Sequence, residues 1–231
     1  MLKRRSFVLG SIATPVLARH ANKNIEETHP IALETISQLQ LHNVRAEPVT
    51  YRGRKAVRVT ATGPADLSDA ARVAVIGGTR FQDGIIEVEI AGDTEPDSPA
   101  EFRGFTGIAF RASADGLRYE CFYLRPKNGR SEDQLQRNHS AQYISVPEFP
   151  WQRLRQKFPC KYESYVDLVP GEWTSVKVVV KGNYARLYVH QAGQPTLIVK
   201  GLKHGTAMGA IALWVGPRTI AHFGNLRVTQ V

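Results

Sequence analysis

The chain has 231 residues, with 30 Lys or Arg against 21 Asp or Glu, a net charge of +9 and two cysteines. Removing Lys3, Arg4 and Arg5 leaves 27 basic residues against 21 acidic, or +6, and these are scattered rather than gathered in blocks. That distribution argues against a nucleic-acid partner while leaving an acidic polymer open, and one apolar run too short to span a bilayer stably argues against a lasting membrane anchor.

The run belongs to residues 1–18, which read as an export signal: paired arginines at Arg4 and Arg5, an apolar stretch to Leu17, and small residues around Ala18. Paired arginines just before Phe7-Val8-Leu9 resemble the bacterial twin-arginine signal; the alternative is a general secretory signal whose arginines are incidental. Either route predicts a periplasmic or extracellular location. Residues 19–31 then form a polar lead-in, and 32–231 a single domain large enough to bury a sizeable core. Cys121 and Cys160 would both reach an oxidising compartment, either as a disulfide or as two free thiols with Cys121 packed inside.

Residues 32–41 suit a short helix or an opening strand equally well. Strands follow at 44–51 and 56–62, around a turn at Arg52-Gly53-Arg54, where Val57 and Val59 alternate with polar neighbours. Residues 67–72 read as a loop or helical turn. Residues 73–76 and 81–90 read as two strands about a turn at Gly77-Gly78, and 91–103 as an acidic loop containing prolines.

Residues 105–111 and 117–125 form the central hairpin, closed by Ser113-Ala114-Asp115-Gly116 with Gly116 in the left-handed region. Pairing Ser113 with Leu117 sets Arg111 opposite Tyr119, Ala109 opposite Cys121, Gly107 opposite Tyr123 and Phe105 opposite Arg125. Alternation then sorts the hairpin into two faces. Thr106, Ile108, Phe110, Phe122, Leu124 and the single acid Glu120 form a core face. Gly107 and Ala109, beside Tyr119, Tyr123, Arg111 and Arg125, form a polar aromatic floor that suits a sugar ring.

The segment from 127 to 170 is the longest irregular stretch, and such a stretch in a compact domain tends to be functional. It carries Asn138, His139, Tyr143 and Trp151, with a strand predicted at 141–146 and a helical turn at 151–158. Regular strands resume at 173–181, 185–190, 197–200, 209–215 and 223–228. Trp173 reads as core. Ala210, Ala212 and Trp214 share one face, with core and floor readings of Trp214 evenly matched. About a dozen short strands and few helices predict an all-β sandwich of two antiparallel sheets.

The order Phe81-Gln82-Asp83-Gly84-Ile85-Ile86-Glu87-Val88, then Gly107-Ile108-Ala109-Phe110-Arg111, then residues 119–126, resembles concanavalin A-like lectin/glucanase domains. Trp173 before 176–180, then Ala185-Arg186-Leu187-Tyr188-Val189 and Phe223-Gly224-Asn225-Leu226-Arg227-Val228, continue it, closest to the laminin-G-like and keto-disaccharide-hydrolase-type bacterial branches. The resemblance spans residues 43–231. It implies a jelly-roll sandwich whose concave sheet meets carbohydrate, and its motifs speak to fold more than to activity.

The laminarinase-type motif Glu-x-Asp-x-x-Glu of that superfamily has only a distorted counterpart at Glu95, Asp97 and Glu101, one residue too long and interrupted by Pro96 and Pro99. Retaining hydrolysis needs two carboxyls about 5–5.5 Å apart, so the standard mechanism is not expected. The histidines lie too far apart for a zinc pair, and no cofactor is expected. Asp93, Glu95 and Asp97 could hold calcium, but a solvated acidic loop is the better reading. His139 and Tyr143 are the candidate acid–base residues of a glycoside hydrolase or polysaccharide lyase; the plain alternative is that His139 is an ordinary loop histidine.

The site expected for a carbohydrate or glycoside is therefore Arg111, Tyr119, Tyr123, Arg125, Asn138, His139, Tyr143 and Trp151. A lectin-like carbohydrate-binding domain is the first functional expectation. A glycoside-active enzyme is the second, and a structural or protein-interaction sandwich the third.

Overall fold

A computed structural model describes residues 28–63 and 71–230. The export signal at 1–18, most of the lead-in at 19–31, and residues 67–70 of the loop expected at 67–72 lie outside the described residues. The strands are β1 (Thr28–Pro30), β2 (Leu39–His42), β3 (Val44–Tyr51), β4 (Arg54–Ala61), β5 (Val73–Phe81), β6 (Gly84–Thr94), β7 (Thr106–Ala112) and β8 (Tyr119–Leu124). They continue with β9 (Ala141–Val146), β10 (Glu163–Ser164), β11 (Thr174–Lys181), β12 (Tyr184–Val189), β13 (Leu197–Lys200), β14 (Gly209–Val215) and β15 (Thr219–Gln230). Among the described residues helix is confined to α1 (Gln134–Asn138), α2 (Trp151–Lys157) and 3-10 turns at Ile36–Gln38 and Pro126–Asn128. No helix among the described residues is long and apolar enough to cross a membrane.

Every strand pair is antiparallel, and the strands form two sheets, a jelly-roll sandwich as expected. One runs β13-β12-β11-β6-β15-β4-β3, and the other β10-β9-β8-β7-β14-β5-β2. β4 pairs with β15 from Ile220 to Phe223; β1 then takes over that edge, pairing Pro30 with Arg227 and Thr28 with Thr229. In the first sheet burial alternates: Val176, Val178 and Val180 are buried while Ser175, Lys177 and Val179 between them are partly exposed. This is the period-2 signature of a sheet with one face in the core. In the second sheet every residue of β7, β8 and β9 is buried, so both of its faces are covered there. Each large apolar side chain moved inside contributes about 1.5–3 kcal/mol, and Phe81, Phe110, Phe122 and Phe223 are all fully buried.

Three local expectations are corrected. Gly77-Gly78 does not reverse the chain, because β5 continues to Phe81 and the turn falls at Gln82-Asp83. The glycines instead sit in an irregular stretch where β14 shifts register against β5, with Gly78 at φ 76°. The Thr79 hydroxyl bridges the gap, donating to Ile76 O at 2.6 Å and accepting from Ile211 N at 3.0 Å. The region 32–41 resolves into a 3-10 turn followed by β2. Trp173, expected in the core, is half-buried beside Tyr51 and the Arg54 guanidinium.

A further correction concerns the hairpin. Gly107 pairs with Tyr123 and Ala109 with Cys121, as the turn implies, and Gly116 has φ 67°. Beyond Phe110 the register slips by one residue, so that Ser113 N donates to Arg118 O rather than pairing with Leu117. The cause is a bulge at Arg111, whose φ is 53°. Its other neighbour records the same extra residue, since Ala212 pairs with Ala109 but Ala210 with Ala112.

Candidate functional site

Arg111 belongs to the framework and not to the floor. The bulge turns its guanidinium, with none of its side chain exposed, onto the carbonyls of Gln82, Gly182 and Gly205 and onto Asp83 at 2.9 Å. Four hydrogen bonds of a planar fork thus tie three turns together.

Tyr143 is likewise reassigned. It pairs across the strands with Phe122 and is fully buried, on the Phe122 face. Its hydroxyl donates to Glu120 Oε2 at 2.5 Å and accepts from Lys203 N at 3.1 Å. Burial, and then the neighbouring Glu120 carboxylate, push the phenol well above the usual tyrosine range. Both groups serve as a satisfied polar pair inside the sandwich, and an acid–base partnership of Tyr143 with His139 is not formed. Asn138 is exposed, its amide oxygen accepting from Gln134 Nε2 at 2.8 Å.

Tyr119 and Tyr123 share their sheet face with Trp214, but the rings are buried, so they form no open floor. The Trp214 indole N–H donates to the Tyr119 hydroxyl at 3.0 Å, and the indole stacks on Tyr123 at 4.6 Å. Cys121, on the same face, is buried; Cys160 is exposed, and the two are unbonded.

Arg125, His139 and Trp151 do come together, at the open end of this face. Arg125 follows β8 directly, and the Pro126–Asn128 turn with proline in its first position bends the chain away. Its guanidinium lies 4.9 Å over Tyr123 and donates to Tyr123 Oη at 2.7 Å, Gln142 Oε1 at 2.9 Å and His139 O at 2.8 Å. His139 caps the C-terminus of α1, a helix started by Asp133, whose carboxylate accepts from Leu135 N at 2.8 Å. Trp151 opens α2 after Pro150, and Arg155, one turn later, lies 4.6 Å over its indole.

The centre of the cluster is a residue that sequence reasoning missed. Glu163 on β10 is buried, with Arg155 Nε at 3.1 Å from Oε2 and a second Arg155 bond, Arg125 at 3.5 Å and His139 Nε2 at 3.5 Å. Burial lowers the His139 pKa, outweighing the pull of Glu163, and Arg155 and Arg125 lower it further, so the imidazole is neutral at pH 7. The spacing of Trp151 and Arg155 on a predicted helical turn could have signalled Arg155. Nothing in the sequence around Glu163 marks it.

A groove of ≈ 250 Å³ opens beside these groups. Phe105 and Trp151 give it apolar surface, while Arg103, Arg125, His139 and Asn128 give it polar surface. Asn128 is 4% exposed; its amide nitrogen donates to His139 O at 3.3 Å, which fixes the amide, and its Oδ1 has no partner among the described residues. A larger groove of ≈ 580 Å³ lies on the first sheet near Trp173, but its Arg54 and Glu89 neutralise each other at 3.1 Å. Asp93, Glu95 and Asp97 do not form a cluster: Asp93 accepts from Thr94 N and Glu95 pairs with Arg218, and no group of three metal-binding side chains occurs among the described residues.

The architecture is a two-sheet antiparallel jelly-roll sandwich. No protein-family model matches the sequence, and no curated protein matches it. Among solved structures the chain is similar to the carbohydrate binding module CBM66 from Bacillus subtilis, at 11% identity and a TM-score of 0.52, over 82% of this chain and 98% of that one. A protein of unknown function with a galectin-like fold, also from Bacillus subtilis, matches at 11% identity and a TM-score of 0.55, over 87% and 94%. A candidate glycosyl hydrolase from Parabacteroides distasonis matches at 8% identity and a TM-score of 0.55, over 89% and 100%. At these identities the likeness is one of fold.

Proposed function

We propose that this protein is an exported carbohydrate-binding domain and that the groove between Arg125, His139 and Trp151 seats the sugar. The observation that carries the reading is the convergence of opposite chemistries in one small cleft. Apolar ring surface at Trp151 and Phe105 suits the C–H face of a pyranose, and the partly exposed side chains of Gln136 and His139 line the same cleft as polar partners for its hydroxyls. Tyr123 and Trp214 back the guanidinium of Arg125 and hold it in place. That one similar solved structure is a carbohydrate binding module supports the same class. The test is a glycan array with residues 19–231, followed by calorimetric titration of the hits. Trp151→Ala should weaken binding by more than ~1 kcal/mol in a variant that still unfolds cooperatively; unchanged affinity would move the site elsewhere.

A second reading, a glycoside-active enzyme, rests on His139. A neutral imidazole 3.5 Å from a buried carboxylate has the form of a general base with its orienting partner. Product formation from an array hit, lost in His139→Gln while binding persists, would favour it over binding alone.

A further inference from the structure

The charge lining the groove narrows the ligand further, and this step rests on the carbohydrate-binding reading. Arg103, Arg125 and Arg155 all reach the groove. Against them stand two carboxylates, Glu101 on the exposed rim and Glu163 beneath. Glu163 is shared by Arg125 and Arg155, and His139 is neutral, so the buried part of the cluster already carries more guanidinium than carboxylate. Arg103 makes no side-chain hydrogen bond or ion pair among the described residues; only its backbone carbonyl is engaged, by Lys127 N. A partly buried guanidinium without a protein counter-charge at the wall of a cleft offers an anionic group a partner.

The surplus is a single charge, which a monoanion balances and a phosphate dianion would exceed. A carboxylate also matches the planar fork of arginine in two parallel hydrogen bonds. The other groups in the cleft ask for hydroxyls and an apolar ring face: Gln136 and His139 supply the polar partners, Trp151 and Phe105 the apolar surface. One chemistry supplies all three. We propose that the groove takes a carboxylated saccharide, a uronic-acid residue whose carboxylate pairs with Arg103, whose hydroxyls meet the side chains of Gln136 and His139, and whose ring lies against Trp151.

Calorimetric titration with di- to tetrasaccharides of galacturonate, glucuronate and mannuronate, set against their neutral counterparts of equal length, tests this. The acidic series should bind at least about 10-fold tighter at 50 mM salt, and the preference should shrink at 500 mM. Arg103→Gln, which removes no side-chain hydrogen bond or ion pair, should erase the preference while leaving the melting curve intact; Arg103→Lys should restore part of it. Equal affinity for neutral sugars, lost in Trp151→Ala but indifferent to Arg103→Gln, would overturn the acidic ligand and leave the carbohydrate reading standing. Absence of binding to every member of both series by the folded protein would overturn both.

Discussion

The hydroxyl of Tyr143 and the carboxyl of Glu120 meet at 2.5 Å inside the sandwich, the tyrosine having no exposed surface and the glutamate none either. Glu120 Oε1 accepts in addition from His204 N at 2.8 Å, so the pair connects β8 and β9 to the turn after β13. Tyr143→Phe should therefore act on stability, by about 1.5–3 kcal/mol, the range for a hydrogen bond to a charged group. Urea unfolding measures the loss. A variant with wild-type stability and altered glycan turnover would return Tyr143 to the catalytic role that its position in the long loop suggested.

Arg111 gives a second stability prediction. Arg111→Met keeps the aliphatic stem but leaves the carbonyls of Gln82, Gly182 and Gly205 without their common donor. The expected cost is about 3 kcal/mol, read as a lower urea midpoint, with glycan affinity of the folded variant unchanged. Affinity lost in proportion to Arg125→Met would put Arg111 back on the binding face.

His222 sets the pH dependence. It stacks on Tyr51 at 3.6 Å and 7°, and burial first and Arg58 second lower its pKa to about 4 against a raising hydrogen bond with the Ala91 backbone. The folded value lies below the ordinary 6.5, so above pH 6.5 neither state is protonated and nothing is lost. As pH falls from 6.5 toward 4 the unfolded chain takes up a proton that the native state refuses, and stability declines by on the order of 2–3 kcal/mol. His222→Phe should flatten that part of the curve; an identical slope in wild type and variant would assign it to other groups.

Export is tested on the precursor. Arg4→Lys with Arg5→Lys should leave unprocessed chain in the cytoplasm if the twin-arginine pathway reads the pair. Normal processing of the double variant would assign the leader to the general secretory pathway.

The strands and the hairpin pairing were legible because local rules set them. Gly116 fixes a turn, the turn fixes which residues face, and Gly107 meets Tyr123 as a result. The bulge at Arg111 was not legible, because its left-handed backbone is held by carbonyls from turns distant in sequence. Gly77-Gly78 misled for a related reason: glycine permits a reversal or a bulge alike, and the side chain that decides, Thr79 bonding to β14, acts through tertiary contact. Trp151 was readable from its place after Pro150 in a polar segment. The partner that organises it, Glu163, comes from a two-residue strand, too short for any periodicity to reveal.

The short β1 strand gives the sandwich a mechanical weak point. Thr28 sits opposite Thr229 and Pro30 opposite Arg227, so a tension drawn between residues 28 and 230 loads this ladder from its end. Its bonds then open in succession, as in a zipper, instead of sharing the load in shear. β1 is exposed along its whole length and gives way first, while β15 remains clamped against β6 from Thr219 to Gln230. Pulled at residues 28 and 230, the domain would lengthen by shedding this strand and keep its groove folded.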